Sequence, residues 1–401
     1  MKILILDGEN TSALAALRSL SLEKIYCAVA SDVRFFLCSF SKYCRKKLIY
    51  PSVYNDLAGF VNFINNHAEN YDFVLPMSEK TMLACMFKRQ VLSKVWNKLL
   101  LPRPDIFRQL TDKYHLKDLT GSFSLAYPKT VLLREQAENN VLDLPLFIKA
   151  RFSKIFLPKN NRIKEINEFI KVDNIGQFRF AVEFLKKKYP WLALDNFVVQ
   201  QFIGGQGIGV STVFNAGKPG QWFVHKRIRE ENVFFGRSAM CESVPDTSKY
   251  GGVIEKLEQM LVGLHFDGPV MAEFREADNG LFLMEINPRF WGSLSLAVKS
   301  GLNFPYYYLS GKLERETVFP KAEITKVRMS FVSCELNYLS RVLAAKDMSW
   351  NKKILYIKDF LKSYKVKTHI FNLYLQDILP FFWEVVVFFW RRILRVKLKS
   401  I

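Results

Sequence analysis

The stretch Pro269–Ser293, PVMAEFREADNGLFLMEINPRFWGS, constrains the fold of this chain more than any other. Two apolar runs flank Asp278-Asn279-Gly280, which is a hairpin signal. A two-residue Asn-Gly loop would pair Phe274 with Glu285 and set the two central glutamates on opposite faces. A three-residue loop, with Gly280 in the left-handed position, pairs Glu273 directly with Glu285. In that register Arg275, Glu273, Glu285 and Asn287 share one face, because side chains alternate with period two. Opposed carboxylates repel and weaken a hairpin. A divalent cation bridging them turns that cost into a site. Their oxygens are hard donors suited to Mg²⁺ (or Mn²⁺) held together with phosphates. Asn287 adds a neutral oxygen, and Arg289 places a fixed cation where phosphate oxygens would sit. The alternative is a solvent-facing acidic pair beside Arg275.

At roughly 100–200 residues per domain, 401 residues make two to four domains with a real core. Disorder, collagen and disulfide scaffolds are excluded by 49% apolar and 24% charged residues. The net charge of +20 asks for an anionic partner: nucleic acid, a phosphorylated substrate or a lipid surface. Six scattered cysteines without a C-x-x-C pair argue against zinc and disulfides and fit a reducing cytosol. The opening MKILILDGEN reads as a buried strand rather than a signal peptide.

Residues 1–100 alternate short apolar runs with helical spacing. Strands are expected at Ile3–Leu6, Tyr26–Ala30 and Phe73–Pro76, and helices at Ser12–Leu20, Asp56–Asn66 and Glu79–Phe87, which makes a parallel sheet of βαβ units. Only one glycine follows the first strand, so the dinucleotide fingerprint is absent. Asp7-Gly8-Glu9-Asn10 lies either at a ligand edge or caps the next helix, and Ser78 and Glu79 pose the same choice. Leu101-Pro102-Arg103-Pro104 marks a boundary. Beyond it a helix is expected at Thr111–Leu119, strands at Lys129–Leu133 and Leu146–Ala150, and a helical pair near Ile163–Lys171 and Gln177–Lys187. Residues 197–214 look like two strands around a tight glycine turn, with a further strand at 221–228 and a helix at 252–264. The basic run His225-Lys226-Arg227-Ile228-Arg229-Glu230 reads as phosphate or carboxylate binding beside the metal, or as a solvated strand edge. The loop Phe234-Phe235-Gly236-Arg237-Ser238 is of a kind that closes over an acceptor.

Glu273, then Glu285-x-Asn287-Pro288-Arg289, resembles the metal-binding strand pair of the ATP-grasp superfamily (carboxylate–amine ligase, biotin carboxylase and carbamoyl-phosphate-synthase-like branches). The resemblance covers roughly 1–310. It implies an α/β and α+β multidomain chain: a Rossmann-like parallel α/β domain at 1–104, a lid subdomain at 105–198, and a core with the metal-binding hairpin at 199–320. Residues 321–401 are left as a helical, basic, aromatic-rich extension. The resemblance implies ATP and Mg²⁺ as cofactors. Lys113 and Lys149 match the two phosphate-binding lysines. Val199-Gln200-Gln201-Phe202-Ile203-Gly204 resembles the adenine hinge, with backbone contacts at Gln201 and Ile203. Gln201 and Gln206 stand where the family has acids. Its glycine-rich flap is replaced by Ala150-Arg151-Phe152-Ser153-Lys154-Ile155, where Arg151, Ser153 and Lys154 would cover the triphosphate.

The implied chemistry is carboxylate attack on the γ-phosphate to give an acyl phosphate, followed by displacement by an amine or thiol. Metal sits on Glu273, Glu285 and Asn287, phosphates on Lys113 and Lys149, and the acyl phosphate against Arg289, with Lys149 and Arg227 also catalytic. Small carboxylate and amine substrates are the expected partners, with a second copy of the chain as a further one and nucleic acid excluded. Bicarbonate-using carboxylase chemistry and a non-catalytic ATP-binding or membrane scaffold remain the alternatives.

The last 61 residues hold 13 Lys+Arg against Asp347, Asp359, Asp377 and Glu384, nearly half the net charge. Within them Ile370–Trp390 is apolar, but two acids and Pro380 interrupt it, so a spanning helix is disfavoured. Two readings stay open for 370–401. One is a helix on an anionic membrane surface with Arg391, Arg392, Arg395, Lys397 and Lys399 at the headgroups, which implies a peripheral position on the inner face of the cell membrane. The other is a helix packed on the chain's own core or a second subunit. The membrane reading favours a cytoplasmic enzyme that joins an amino acid to a cell-surface glycan.

Overall fold

The computed structural model describes residues 1–231, 236–313, 319–345 and 348–399, excluding the side chains of 159 and 391–399. Phe234 and Phe235 of the expected acceptor loop lie outside the described residues, as do the side chains of the five terminal cations.

Strands Lys2–Ile5, Tyr26–Ser31, Lys46–Ile49 and Phe73–Leu75 form a parallel sheet in which the first strand lies between the second and fourth. Helices Thr11–Leu22, Leu57–Ala68 and Glu79–Phe87 accompany it. The first two strands and Phe73–Leu75 read as apolar runs because a parallel sheet is covered on both faces. Lys46–Ile49, with its two lysines and exposed edge position, carries no such run and escapes a sequence reading. Fully buried Asp7, at φ 59°, ties the strand ends together. Its Oδ2 accepts from Met77 N at 3.0 Å and Thr81 Oγ1 at 2.6 Å, and its Oδ1 meets Tyr50 Oη at 3.2 Å. Lys80 bonds Glu9 and Asp32. The acids of this edge are thus internally paired, and Asn10, at the helix N-cap, makes no side-chain cap bond.

A second, antiparallel sheet runs in the order Thr130–Leu132, Phe197–Gln201, Leu146–Ala150, Phe169–Val172. Helix Ile175–Lys188 packs Phe178, Ala181, Val182 and Leu185 into the same core. The helix expected at Ile163–Lys171 is instead two short strands, Arg162–Glu165 and Phe169–Val172. Alternation of Arg162, Ile163, Lys164 with only Ile163 buried is a strand signature that a helical count overrode. The helix expected at Thr111–Leu119 is likewise two, Pro104–Thr111 and Leu116–Ser122, broken where Asp112 accepts from the amides of Tyr114 and His115.

The largest sheet runs Gly280–Asn287, Gly268–Ala277, Gln206–Asn215, Phe223–Glu230, Ser238–Val244, Arg328–Ser330, His369–Ile370, with Lys218–Pro219 beside Gln206–Asn215. Phe197–Gln201 and Gln206–Asn215 belong to different sheets, so the glycines at 204–209 do not close a hairpin. Gly205, at φ +100°, lets the chain cross over where a Cβ would lie 2.0 Å from the Glu276 carbonyl oxygen.

This sheet continues past residue 320, and helices from the tail lock onto it. From Val332–Ala344, Glu335 forms a buried ion pair with Arg229, which also bonds Ser363, the last residue of helix Trp350–Ser363. Helix Leu379–Lys399 packs against the turn Leu37–Phe40 of the N-terminal unit and against Val332–Ala344. Asp377, just ahead of it and 4% exposed, accepts from Arg18 Nε at 2.8 Å, Ser41 Oγ at 2.7 Å and Lys42 N at 2.8 Å. Glu384 accepts from Ser333 and Asn372, and Trp383 stacks on Phe40 at 4.3 Å. Asp377 and Glu384, which interrupted the apolar run in the sequence, are the residues that hold the tail to its own protein. No described helix is long and apolar enough to cross a membrane.

Candidate functional site

The hairpin Gly268–Ala277/Gly280–Asn287 pairs Glu273 with Glu285, but not through a three-residue loop. Ala277 pairs with Gly280 around Asp278-Asn279, and a bulge between Glu273 and Phe274 leaves Met284 as the extra residue. Gly280 takes φ +135° at the turn. The expected face forms by a different local device.

Across the sheet, Glu285, Glu273, Gly209, His225 and Ser243 stand in one row. The glycines of Gln206–Asn215 make room for side chains of the neighbouring strand. A Cβ on Gly209 would lie 2.1 Å from the His225 ring, and one on Gly207 would lie 2.7 Å from Arg227 Cδ. Arg227 therefore crosses the strand to bond Glu273 Oε2. Glu230 holds both arginines of the face: Arg227 at 3.5 Å and Arg275 at 2.7 Å. Glu230 was not singled out in the sequence, since only the sheet register brings it beside Arg275. His225 is buried, with Nε2 3.3 Å from Ser293 Oγ, and burial, aided by Arg227, pushes its imidazole down to about 3. It stays neutral near pH 7 and contributes no positive charge to the run His225–Arg229.

Glu285 Oε1 accepts from Asn287 Nδ2 at 3.1 Å, and Lys113 Nζ stands 4.0 Å from Oε2. Arg289 donates to Asn287 Oδ1 at 3.0 Å and to the Phe290 carbonyl. Burial pushes the Glu273 carboxyl up, with Glu285 adding to it against the pull of Arg227. Burial acts on Glu285 too, but Lys113, the Asn287 amide, Lys149 and Arg289 hold its carboxyl below the usual range. Two carboxylates and a carboxamide on paired strands form an all-oxygen donor set of the kind hard divalent cations take. Among the described residues no three His, Cys, Asp or Glu cluster to hold a metal. The remaining ligands would be phosphate oxygens or water, which is how Mg²⁺ is usually held.

The antiparallel sheet contributes Lys149. Its Nζ donates to Gln200 Oε1 at 2.8 Å, while Gln200 Nε2 bonds Tyr127 Oη and Thr130 Oγ1, both at 3.0 Å. Tyr127 in turn donates to the Lys113 carbonyl at 2.7 Å. One buried network thus fixes both lysines. Gln200, fully buried, is the glutamine that does this; Gln201, expected at the hinge's acidic place, has an exposed side chain, and its amide bonds the Lys129 carbonyl. Gln201 N is therefore not available to an adenine edge. The Phe202 amide bonds the Pro145 carbonyl at 3.2 Å, its ring stands 5.5 Å from Phe147, and Ile203 follows on the loop. Gln206 is exposed and bonds the Arg227 carbonyl, at the rim rather than inside.

Burial lowers the Lys149 ammonium to about 8, with Lys113 and Arg275 adding to the effect and Glu285 and Glu273 opposing it. Phosphate binding requires the charged form. As pH rises through about 8, nucleotide affinity of the free protein is expected to fall, while Lys149→Arg, charged throughout, flattens the profile. Titration calorimetry with ADP between pH 7 and 9 checks this; a profile unaffected by the substitution would contradict it.

Lys154–Leu157 and Arg162–Glu165 form a two-stranded hairpin directly after Lys149, turned at Pro158–Asn160 with Asn161 at φ 49°. Phe156 stacks on Phe87 at 4.3 Å and Ile163 is buried in the N-terminal core, so this hairpin rests against helix Glu79–Phe87. Ser153 lies 3.4 Å from Lys113 Nζ, whereas Arg151 is taken by Asp112 through two bonds and Lys154 by Glu165. A cavity of about 550 Å³ is lined by Phe202, Gln206, Arg227, Glu230 and Arg275 among others, and a larger one of about 1270 Å³ is lined by Glu9, Thr11, Phe35, Glu231, Asn337 and Trp383 among others.

Residues 225–334 match a family model described as ATP-grasp in the biosynthetic pathway with Ter operon. No curated protein sequence gives a significant match. Solved structures do match in fold. An L-amino acid ligase from Bacillus licheniformis aligns at TM-score 0.59 and 14% identity, covering 78% of this chain and 74% of that one. Biotin carboxylase from Campylobacter jejuni aligns at 0.63 and 13%, covering 81% and 74%. N5-carboxyaminoimidazole synthetase from Staphylococcus aureus aligns at 0.59 and 13%, covering 82% and 81%. These likenesses show that the chain has an ATP-grasp fold, with residues 225–334 matching that family's model.

Proposed function

We propose that the protein is an ADP-forming ligase that activates a carboxylate as an acyl phosphate and passes the acyl group to an amine. The observation that carries this reading is the directly opposed pair Glu273–Glu285, surrounded by Lys113, Lys149, Arg227 and Arg289. Left alone, such a pair destabilises its hairpin.

A divalent cation held by Glu273, Glu285 and the Asn287 amide oxygen would neutralise charge on the phosphates of ATP. Lys113 and Lys149 would hold the α- and β-phosphates, and Phe147 and Phe202 would give adenine an apolar wall. The substrate carboxylate oxygen bonds to the γ-phosphorus as the bond to ADP breaks. The amine then attacks the carbonyl carbon, the carbon–oxygen bond to phosphate breaks, and the amine's proton leaves to solvent. Arg289, and Arg227 once released from Glu273, would face the charge that develops on the acyl phosphate. The cavity at Glu9, Thr11 and Glu231 would seat the acceptor.

The Rossmann-like reading of the first hundred residues, the division at 104, 198 and 320, and a cytoplasmic location belong to this proposal. The parallel sheet supports the first and six unpaired thiols the last; the divisions at 198 and 320 do not follow the sheets, because strand Phe197–Gln201 spans the one and the largest sheet takes in Arg328–Ser330 and His369–Ile370 beyond the other. A biosynthetic role is supported by the matched family's description, and joining an amino acid to a cell-surface glycan is the context we favour. A non-catalytic nucleotide binder is the second reading, favoured by Gln200's hold on Lys149.

Incubation with Mg-ATP, hydroxylamine and a panel of carboxylates tests the reading. Phosphate release with hydroxamate from an organic carboxylate is expected. Turnover with bicarbonate alone would move the reading to a carboxylase, and nucleotide binding without turnover would move it to the second reading.

A further inference from the structure

Helix Leu379–Lys399 presents two unlike sides among its described side chains. On the inner side of Leu379–Lys399, Pro380 is buried and Trp383 and Glu384 contact the protein. On the outer side, Leu379, Phe382, Val386, Phe389 and Trp390 are 52–63% exposed at spacings of three, four, three and one. Leu375, 88% exposed, precedes this stripe in the chain. Scattered apolar residues on a surface need no explanation, but a continuous row of large ones on a helix does.

The sequence that follows the stripe supplies the charge. Residues 391–399 contain Arg391, Arg392, Arg395, Lys397 and Lys399 and no acid. The helix's one carboxylate, Glu384, faces inward and is bonded. An apolar face with only cations in its continuation complements an anionic bilayer, whose headgroups attract Lys and Arg while its acyl boundary takes Phe, Leu and Trp. With no described helix able to cross a membrane, the chemistry is that of a helix lying in the interface.

We infer that the outer face of Leu379–Lys399, with Leu375, docks this protein on an anionic lipid surface while the inner face stays bound to the protein. The anchor is thus built into the fold rather than tethered to it. This does not rest on the ligase reading, because its readout is partition onto lipid.

The test is vesicle flotation of the full chain with phosphatidylglycerol-containing and with pure phosphatidylcholine vesicles. Binding to the anionic vesicles, weakened by raising salt, is expected. Combined Leu379→Ser, Phe382→Ser, Phe389→Ser and Trp390→Ser should reduce that binding at least tenfold while the thermal transition is retained. Phe180→Ser with Trp191→Ser, which removes exposed aromatics elsewhere, should leave it unchanged. Absence of wild-type binding, equal binding by the four-residue variant, equal loss in the control, or equal binding to neutral vesicles would each overturn the inference. So would a wild-type dimer that the four-residue variant abolishes without any lipid binding, since a second copy would then be the occupant.

Discussion

Glu285→Gln is expected to lower ATP-dependent phosphate release by about 10³-fold, about 4 kcal/mol of transition-state stabilisation. The substitution keeps shape and removes one of two negative charges that would hold a cation on the phosphates. It leaves Lys113, Lys149 and Arg289 facing a weakened counter-charge. The stability effect should be small by comparison. In the free protein Lys113, Lys149 and Arg289 hold the Glu285 carboxyl below the usual range against burial, so its charge stabilises the fold on balance despite Glu273 opposite, and removing it should lower the thermal transition modestly without unfolding the protein. Loss of activity far beyond the loss of stability is the signature of a carboxylate kept for binding, and calorimetry beside a phosphate assay reads both. Full activity, or a fold that collapses, would mean that the pair serves the hairpin instead.

Asp377→Ala is expected to cost about 3–5 kcal/mol of stability, the range for removing one partner of a buried ion pair. The carboxylate has no close substitute. It receives Arg18, the Ser41 hydroxyl and the Lys42 amide, and its loss leaves Arg18 buried with only the carbonyls of Asn372 and Asp377. Because Arg18 sits on helix Thr11–Leu22, the substitution should loosen the tail from the N-terminal sheet. Differential scanning calorimetry should show the transition lowered by several degrees. An unchanged transition would mean that the tail is an appendage rather than part of the fold.

What could be read in the sequence depended on how local the determinant was. The alternation βαβ at 1–100 was legible because buried parallel strands are apolar throughout, and Lys46–Ile49 was not because it is short, basic and at an edge. The opposed glutamates were legible from strand alternation, but the bulge at Met284 was not, since it depends on which register the whole sheet accepts. Gly207 and Gly209 looked like turn residues and are in fact clearance for Arg227 and His225, a cross-strand fact. Gln200 rather than Gln201 became the buried partner of Lys149 because alternation along Phe197–Gln201 points it inward. The hairpin Lys154–Leu157/Arg162–Glu165 was missed because glycines were sought after Lys149, while Asn161 takes the left-handed conformation at its turn. Asp377 and Glu384 looked like interruptions of an apolar segment, and only long-range contacts show them to be its attachment.

The central claim is that a carboxylate oxygen attacks the γ-phosphorus of ATP. The most direct measurement uses a carboxylate substrate from the trapping panel, labelled with ¹⁸O in its carboxyl group. The inorganic phosphate released on amide formation is then analysed by mass spectrometry. An acyl phosphate pathway places one ¹⁸O in that phosphate for each product formed. Unlabelled phosphate accompanying amide formation, or the label recovered in AMP, would contradict the account.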